Sequence, residues 1–155
     1  MMQSYNSFRA RLIAELNDNP IEDGIEHPAE MVIKDILPKD GGWLCFAWLS
    51  RVIEEHAQSR PSVTASIIRC IGRLRPDEVA PWGASIVEDV LRHKDAEVRE
   101  AGIRALEAWG GHVALRMLYH HLSYGCKEEP WLHSYIRQVA ADLESQLFGV
   151  THEKA

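Results

Sequence analysis

The chain has 155 residues, enough for one compact domain or a short array of repeats and too few for two comfortable domains. Seventeen Lys and Arg against 23 Asp and Glu leave a net charge of -6, which repels a phosphate backbone and sets nucleic acid aside as the main partner. A hydrophobic fraction of 46% fits a folded protein. No run approaches the roughly 20 apolar residues of a membrane span, and the start lacks the basic and apolar regions of a signal peptide, so a cytoplasmic protein with no membrane partner is expected.

In chain order, the apolar spacing predicts helices at 4–17, 28–37, 43–57, 61–74, 81–92, 95–109, 112–122 and 130–147. The first carries Phe8, Leu12, Ile13 and Leu16 on its apolar face. Pro28, Pro61, Pro81 and Pro130 stand in first turns, and Gly41-Gly42 and Gly110-Gly111 stand at breaks. No segment alternates with period two between hairpin turns, so an all-α fold is predicted. Cys45 and Cys70 fall within apolar helical patterns and Cys126 follows Gly125 in a loop. An odd cysteine count without CxxC spacing argues for reduced, buried thiols.

Internal similarity organises these helices. Ile68-Arg69-Cys70-Ile71 recurs as Ile103-Arg104-Ala105-Leu106, as Ile136-Arg137-Gln138-Val139 and, with Lys for Arg, as Ile33-Lys34-Asp35-Ile36. The offsets are 103 − 68 = 35, 136 − 103 = 33 and 68 − 33 = 35. The period defines approximate repeats at 4–37, 43–74, 81–109 and 112–147 within a single domain over 1–155, each a helix pair that buries its apolar stripe only by stacking on its neighbours.

The segment Asp95 to Gly110, DAEVREAGIRALEAWG, resembles the inner helix of a bacterial HEAT-like repeat: an Asp before the helix, Val98-Arg99 opening it, small residues, Ala105-Leu106, and a closing Gly. The resemblance covers about 81–122 and implies a right-handed α-solenoid of about four helix-pair repeats, about eight helices in all. Elsewhere the pattern departs, with His27, Arg60 and Glu128 near the Asp position. Each feature has a physical reason: Asp95 accepts from first-turn N–H groups, Gly102 and Ala105 allow close packing, and Gly110 takes a left-handed cap.

The cations Lys34, Arg69, Arg104 and Arg137 lie on one line of second helices, with Arg73 one turn beyond Arg69, and form a candidate concave strip for a protein partner. Glu100 and Glu107 are spaced to neutralise Arg104, whereas Arg69 has no carboxylate at such a spacing. Glu54, Glu55, Glu88 and Asp89 recur on successive first helices as a candidate acidic face. Trp109 and Trp131 fall on repeat-equivalent core positions, and Trp82 beside Pro81 is the tryptophan expected to be exposed.

No metal or cofactor is expected. His112, His120, His121 and His133 lack an HExxH or Cys/His zinc pattern, and the His-Glu dipeptide of di-iron HEAT-like hydroxylases occurs only at His152-Glu153. No nucleophile elbow, phosphate loop or Ser-His-Asp set is present, so no catalytic residue is assigned. The reading is a non-enzymatic protein-binding module, in its narrower form a small bacterial inhibitor or toxin-immunity protein. The alternative is a HEAT-like enzyme or nucleic-acid-processing protein acting through the basic concave strip, and end-to-end association of copies through apolar terminal repeats is a third reading.

Overall fold

The computed structural model describes residues 4–149, so the first three and last six residues, with His152-Glu153, lie outside it. The described residues form nine α-helices and no strand. They are α1 Tyr5–Asp18, α2 Pro28–Ile36, α3 Trp43–His56, α4 Pro61–Gly72, α5 Pro76–Val79, α6 Trp82–Val90, α7 Ala96–Trp109, α8 Gly111–Tyr124 and α9 Pro130–Phe148, with a 3-10 turn at Lys39–Gly42. All eight predicted helices are present. The addition is α5, a single turn too short for apolar periodicity to reveal, which sets the buried Val79 against Gly83.

Local chemistry explains the boundaries. Asp95 caps α7 by accepting from Glu97 N–H at 2.8 Å. His27 does the same for α2, where its Nδ1 accepts from Ala29 N–H at 3.0 Å while the buried Glu30 carboxylate reaches back to His27 N–H at 2.6 Å, closing a reciprocal box. Because Nδ1 of His27 accepts, its Nε2 carries the proton and donates to Asn19 O at 2.9 Å. Gly110 ends α7 at φ 64°, ψ -161°, outside the left-handed helical cap that was predicted and in a region open essentially to glycine alone.

Consecutive helices pair as α1 with α2, α3 with α4, α6 with α7 and α8 with α9. Across the pairs, α1 touches α3, α3 touches α6 and α6 touches α8, while α2 touches α4, α4 touches α7 and α7 touches α9. The α4–α7 contact is the most extensive because small residues line it: a Cβ added to Gly72 would lie 3.0 Å from the Ala105 backbone. Gly102 allows a similar approach to Val90 of α6, so the predicted reason for these small residues holds. Ile33, Ile67, Ile68, Ile71, Ile103, Leu106, Leu118 and Leu132 are fully buried in one core, each worth about 1.5–3 kcal/mol of apolar transfer.

Two tryptophan expectations are corrected. Trp82 is 3% exposed, because the Gly42 backbone leaves room for its indole and Phe46 packs beside it at 6.5 Å between ring centroids. Trp131 is 50% exposed, because it stands in the first turn of α9 with Nε1 donating to Glu129 at 2.7 Å, outside the packed stripe formed by Leu132, Ile136 and Val139. Trp109 is half-buried and donates its Nε1–H to Leu74 O at 3.2 Å. Phe8 and Leu12 are buried, and Ile13 and Leu16 pack partly against the same core, so the apolar face of α1 points inward.

Candidate functional site

Four of the five cations of the row, Lys34, Arg69, Arg73 and Arg104, line adjoining hollows and are matched by carboxylates of the same chain. Lys34 and Arg73 line one hollow on the second-helix side, and Arg69, Arg73 and Arg104 line the adjoining one, about 180 Å³ in volume. Arg137 lines neither; it is exposed and makes no ion pair among the described residues. The 19–27 loop crosses this surface and supplies the partners that helical spacing does not show. Glu26 pairs with Lys34 at 3.3 Å and Asp23 with Arg69 at 3.5 Å. Arg69 is therefore not the unpaired member of the row, because its carboxylate comes from a loop instead of its own helix.

Arg73 has a different role. Its guanidinium donates to Glu22 O at 2.6 Å and Ile25 O at 2.8 Å and pairs with the buried Glu30 at 3.2 Å, so it pins the 19–27 loop to the ends of α2 and α4. Arg104 pairs with Glu100 at 3.1 Å as its spacing predicts, while Glu107 instead accepts from the Tyr135 hydroxyl at 2.5 Å. The Lys34, Arg69 and Arg104 pairs are solvent-exposed and worth about 0–1 kcal/mol each.

On the first-helix side, α3 and α6 enclose a cleft of about 290 Å³. Its floor includes Ile53, Ala57, Ile86 and Val90, and its rim carries Glu54 and Asp89. His93 closes one end, its Nε2–H donating to Ala57 O at 2.7 Å while Nδ1 accepts from Asp95 N–H at 2.9 Å. Glu54 is exposed and without an ion pair among the described residues, whereas Asp89 and Glu88 pair with Arg92 at 2.7 and 3.8 Å. Glu55 is drawn away to α1, accepting from the Tyr5 hydroxyl and pairing with Arg9 at 3.3 Å; the Tyr5 hydrogen bond holds its carboxyl below the ordinary range. Three members of the predicted acidic face thus border this side with partners, and Glu54 is the one at the cleft without an ion pair.

The strongest buried charge cluster went unread in the sequence. Arg99 on α7 grips Glu128 from the loop before α9, Nε to Oε2 at 2.8 Å and Nη2 to Oε1 at 2.9 Å, and its Nη1 donates to His93 O at 2.7 Å. His121 Nε2 lies 2.8 Å from Glu128 Oε2, and Cys126 Sγ lies 3.6 Å from the same oxygen. Burial pushes the Glu128 carboxyl up, but the hydrogen bonds from Arg99 and His121 outweigh it and hold the group below the ordinary carboxylate range. Cys126 is exposed, contrary to the expectation of a buried thiol; Cys45 and Cys70 are buried, and desolvation pushes both thiols up to about 12. No helical spacing signals this pair: Glu128 lies 29 residues from Arg99, and Asp95, 33 residues before Glu128, caps its own helix instead.

No helix among the described residues is long and apolar enough to cross a membrane. Comparisons with protein-family models, with curated proteins and with solved structures return no match to this chain.

Proposed function

We propose that the chain is a short HEAT-like α-solenoid that works by binding another protein, without catalysis. The solenoid reading is supported by the order of helix contacts, in which each first helix touches the next first helix and each second helix the next second helix. The binding surface in this proposal is the α3–α6 cleft, and its occupant is a basic, partly apolar segment of the partner.

One observation carries the choice of surface: an apolar floor of Ile53, Ile86 and Val90 is rimmed by Glu54, which has no ion pair among the described residues, whereas Lys34, Arg69, Arg73 and Arg104 on the opposite side are already matched by carboxylates of the same chain. The net charge of -6 favours encounter with a basic partner. In its narrower form the proposal is a bacterial inhibitor or immunity protein that covers a basic, nuclease-like toxin in the cytoplasm. The neutralised cations weigh against the alternative of a nucleic-acid-processing enzyme on the basic side, since phosphate binding draws on free cations.

The test is capture from native lysate with the wild-type chain and with the Glu54→Lys/Asp89→Lys variant. A stoichiometric basic protein retained at low salt, weakened by added salt and lost with the variant is expected. Failure to retain any partner at low salt, or equal retention by the variant, overturns the proposal. Filter binding of DNA and RNA at low ionic strength is expected to show no retention.

A further inference from the structure

The end of α8 and the loop that leaves it form a compact set of three unlike ligand groups. One ligand atom from each of His121, Cys126 and Glu128 lies within 4.8 Å of the other two. His121 and Glu128 are buried at 6% and 8% exposure, while Cys126 opens to solvent. The chain turns back on itself here because Gly125 lies directly over the His121 ring; a Cβ at that position would sit 2.6 Å from the His121 carbonyl oxygen and would overlap Nδ1.

The separations fit a small tetrahedral ion. With metal bonds of about 2.0 Å to nitrogen or oxygen and about 2.3 Å to sulfur, tetrahedral ligand atoms stand about 3.3–3.5 Å apart. The thiol and carboxylate oxygen are already 3.6 Å apart. The imidazole and carboxylate, at 2.8 Å, need to part by about half an ångström, which exchanges one hydrogen bond for two metal bonds.

Arg99 keeps the carboxylate in place through a hydrogen bond to each of its oxygens, the kind of outer support that orients a metal-bound carboxylate. Its charge also balances one of the two anionic ligands. On the remaining side a cavity of about 540 Å³, lined by Leu122, Lys127, Pro130 and His133, leaves a fourth position for water or for His133.

We propose that His121, Cys126 and Glu128 form a zinc(II) site whose fourth position faces this cavity. One sulfur, one nitrogen and one oxygen ligand suit zinc and exclude the oxygen cages of calcium and magnesium. Binding releases the thiol proton to solvent as the sulfur–metal bond forms; the imidazole proton, held on Nε2 in the hydrogen bond to Glu128, is exchanged through solvent to Nδ1 so that the Nε2 lone pair takes the metal. The sequence expectation of no metal rested on missing spacing signatures, and His-x4-Cys-x-Glu matches none of them; the loop, not a helix register, brings the atoms together.

Cobalt(II) is the probe, added to the full chain after chelator treatment and removal of any affinity tag. One cobalt per chain is expected, with thiolate-to-metal charge-transfer absorption in the near ultraviolet, displaced by one equivalent of zinc. Cys126→Ser, at an exposed position, is expected to fold with an unchanged metal-free melting temperature, to lose the charge-transfer band and to lose the zinc-induced rise in melting temperature. His121→Gln is expected to weaken zinc by more than the roughly 10–100-fold typical of losing a supporting partner. A wild-type chain without the band, a band that survives in Cys126→Ser, or equal zinc stabilisation of both chains overturns the site.

Discussion

Arg99 and Arg104 both sit on α7 and both hold a carboxylate, yet they differ in energetic weight because one pair is buried and the other is not. The Arg99–Glu128 side chains are 9% and 2% exposed, and those of Arg104 and Glu100 are 52% and 26% exposed. Arg99→Met is therefore expected to cost about 3–5 kcal/mol by stranding a buried carboxylate. Arg104→Met should cost less than about 1 kcal/mol, and urea midpoints of the two variants measure the contrast. The Glu128 carboxyl lies below its ordinary value of 4.5 in the folded chain, so its contribution is complete above that pH and is lost as the pH falls through the folded value. The gap between wild type and Arg99→Met is thus expected to narrow on acidification below about pH 4.5; a gap that widens contradicts the ion pair. Spacing revealed Arg104 and its Glu100. It did not reveal the partners of Arg69, Arg73 or Arg99, which come from the 19–27 loop, from Glu30 of α2 and from the segments that carry His93 and Glu128.

At the scale of elements, helix positions were legible because their signals are local: proline in first turns, Asp95 before α7, glycine at breaks and apolar residues at helical spacing. Burial of individual aromatics was less legible. Trp82 is buried because Gly42, from a different helix pair, makes room for it, and Trp131 is exposed because the first turn of α9 projects from the packed stripe. The most extensive packing of two elements is α4 on α7, tight at Gly72 and Ala105. Gly72→Val places two methyl groups against the Ala105 backbone and is expected to cost about 1–3 kcal/mol, read as a lowered thermal midpoint. A variant as stable as wild type would show that these helices separate without penalty.

For the whole molecule, adjacent helix pairs are tied by polar links as well as apolar packing: Trp109 to Leu74 O, Arg73 to the 19–27 loop, and Arg99 to Glu128. Such links between neighbouring helix pairs make unfolding concerted. Tryptophan fluorescence and far-ultraviolet circular dichroism are accordingly expected to give one urea midpoint; two separated midpoints would mean that the pairs unfold independently. The first and last helix pairs differ. The apolar face of α1 turns inward, whereas Val113 and Phe148 are each 58% exposed and Tyr124 is 80% exposed on α8 and α9.

The sequence by itself determined the helical class, the positions of eight helices and the small residues Gly102 and Ala105 of α7, because each follows from chemistry within a few residues along the chain. Which charges remain available, which tryptophans are covered, and the meeting of His121, Cys126, Glu128 and Arg99 were decided only by tertiary structure. Those properties depend on groups distant along the chain, carried by the 19–27 and 125–129 loops or, for Trp82, by the turn at Gly42, where no period along the chain records the contact.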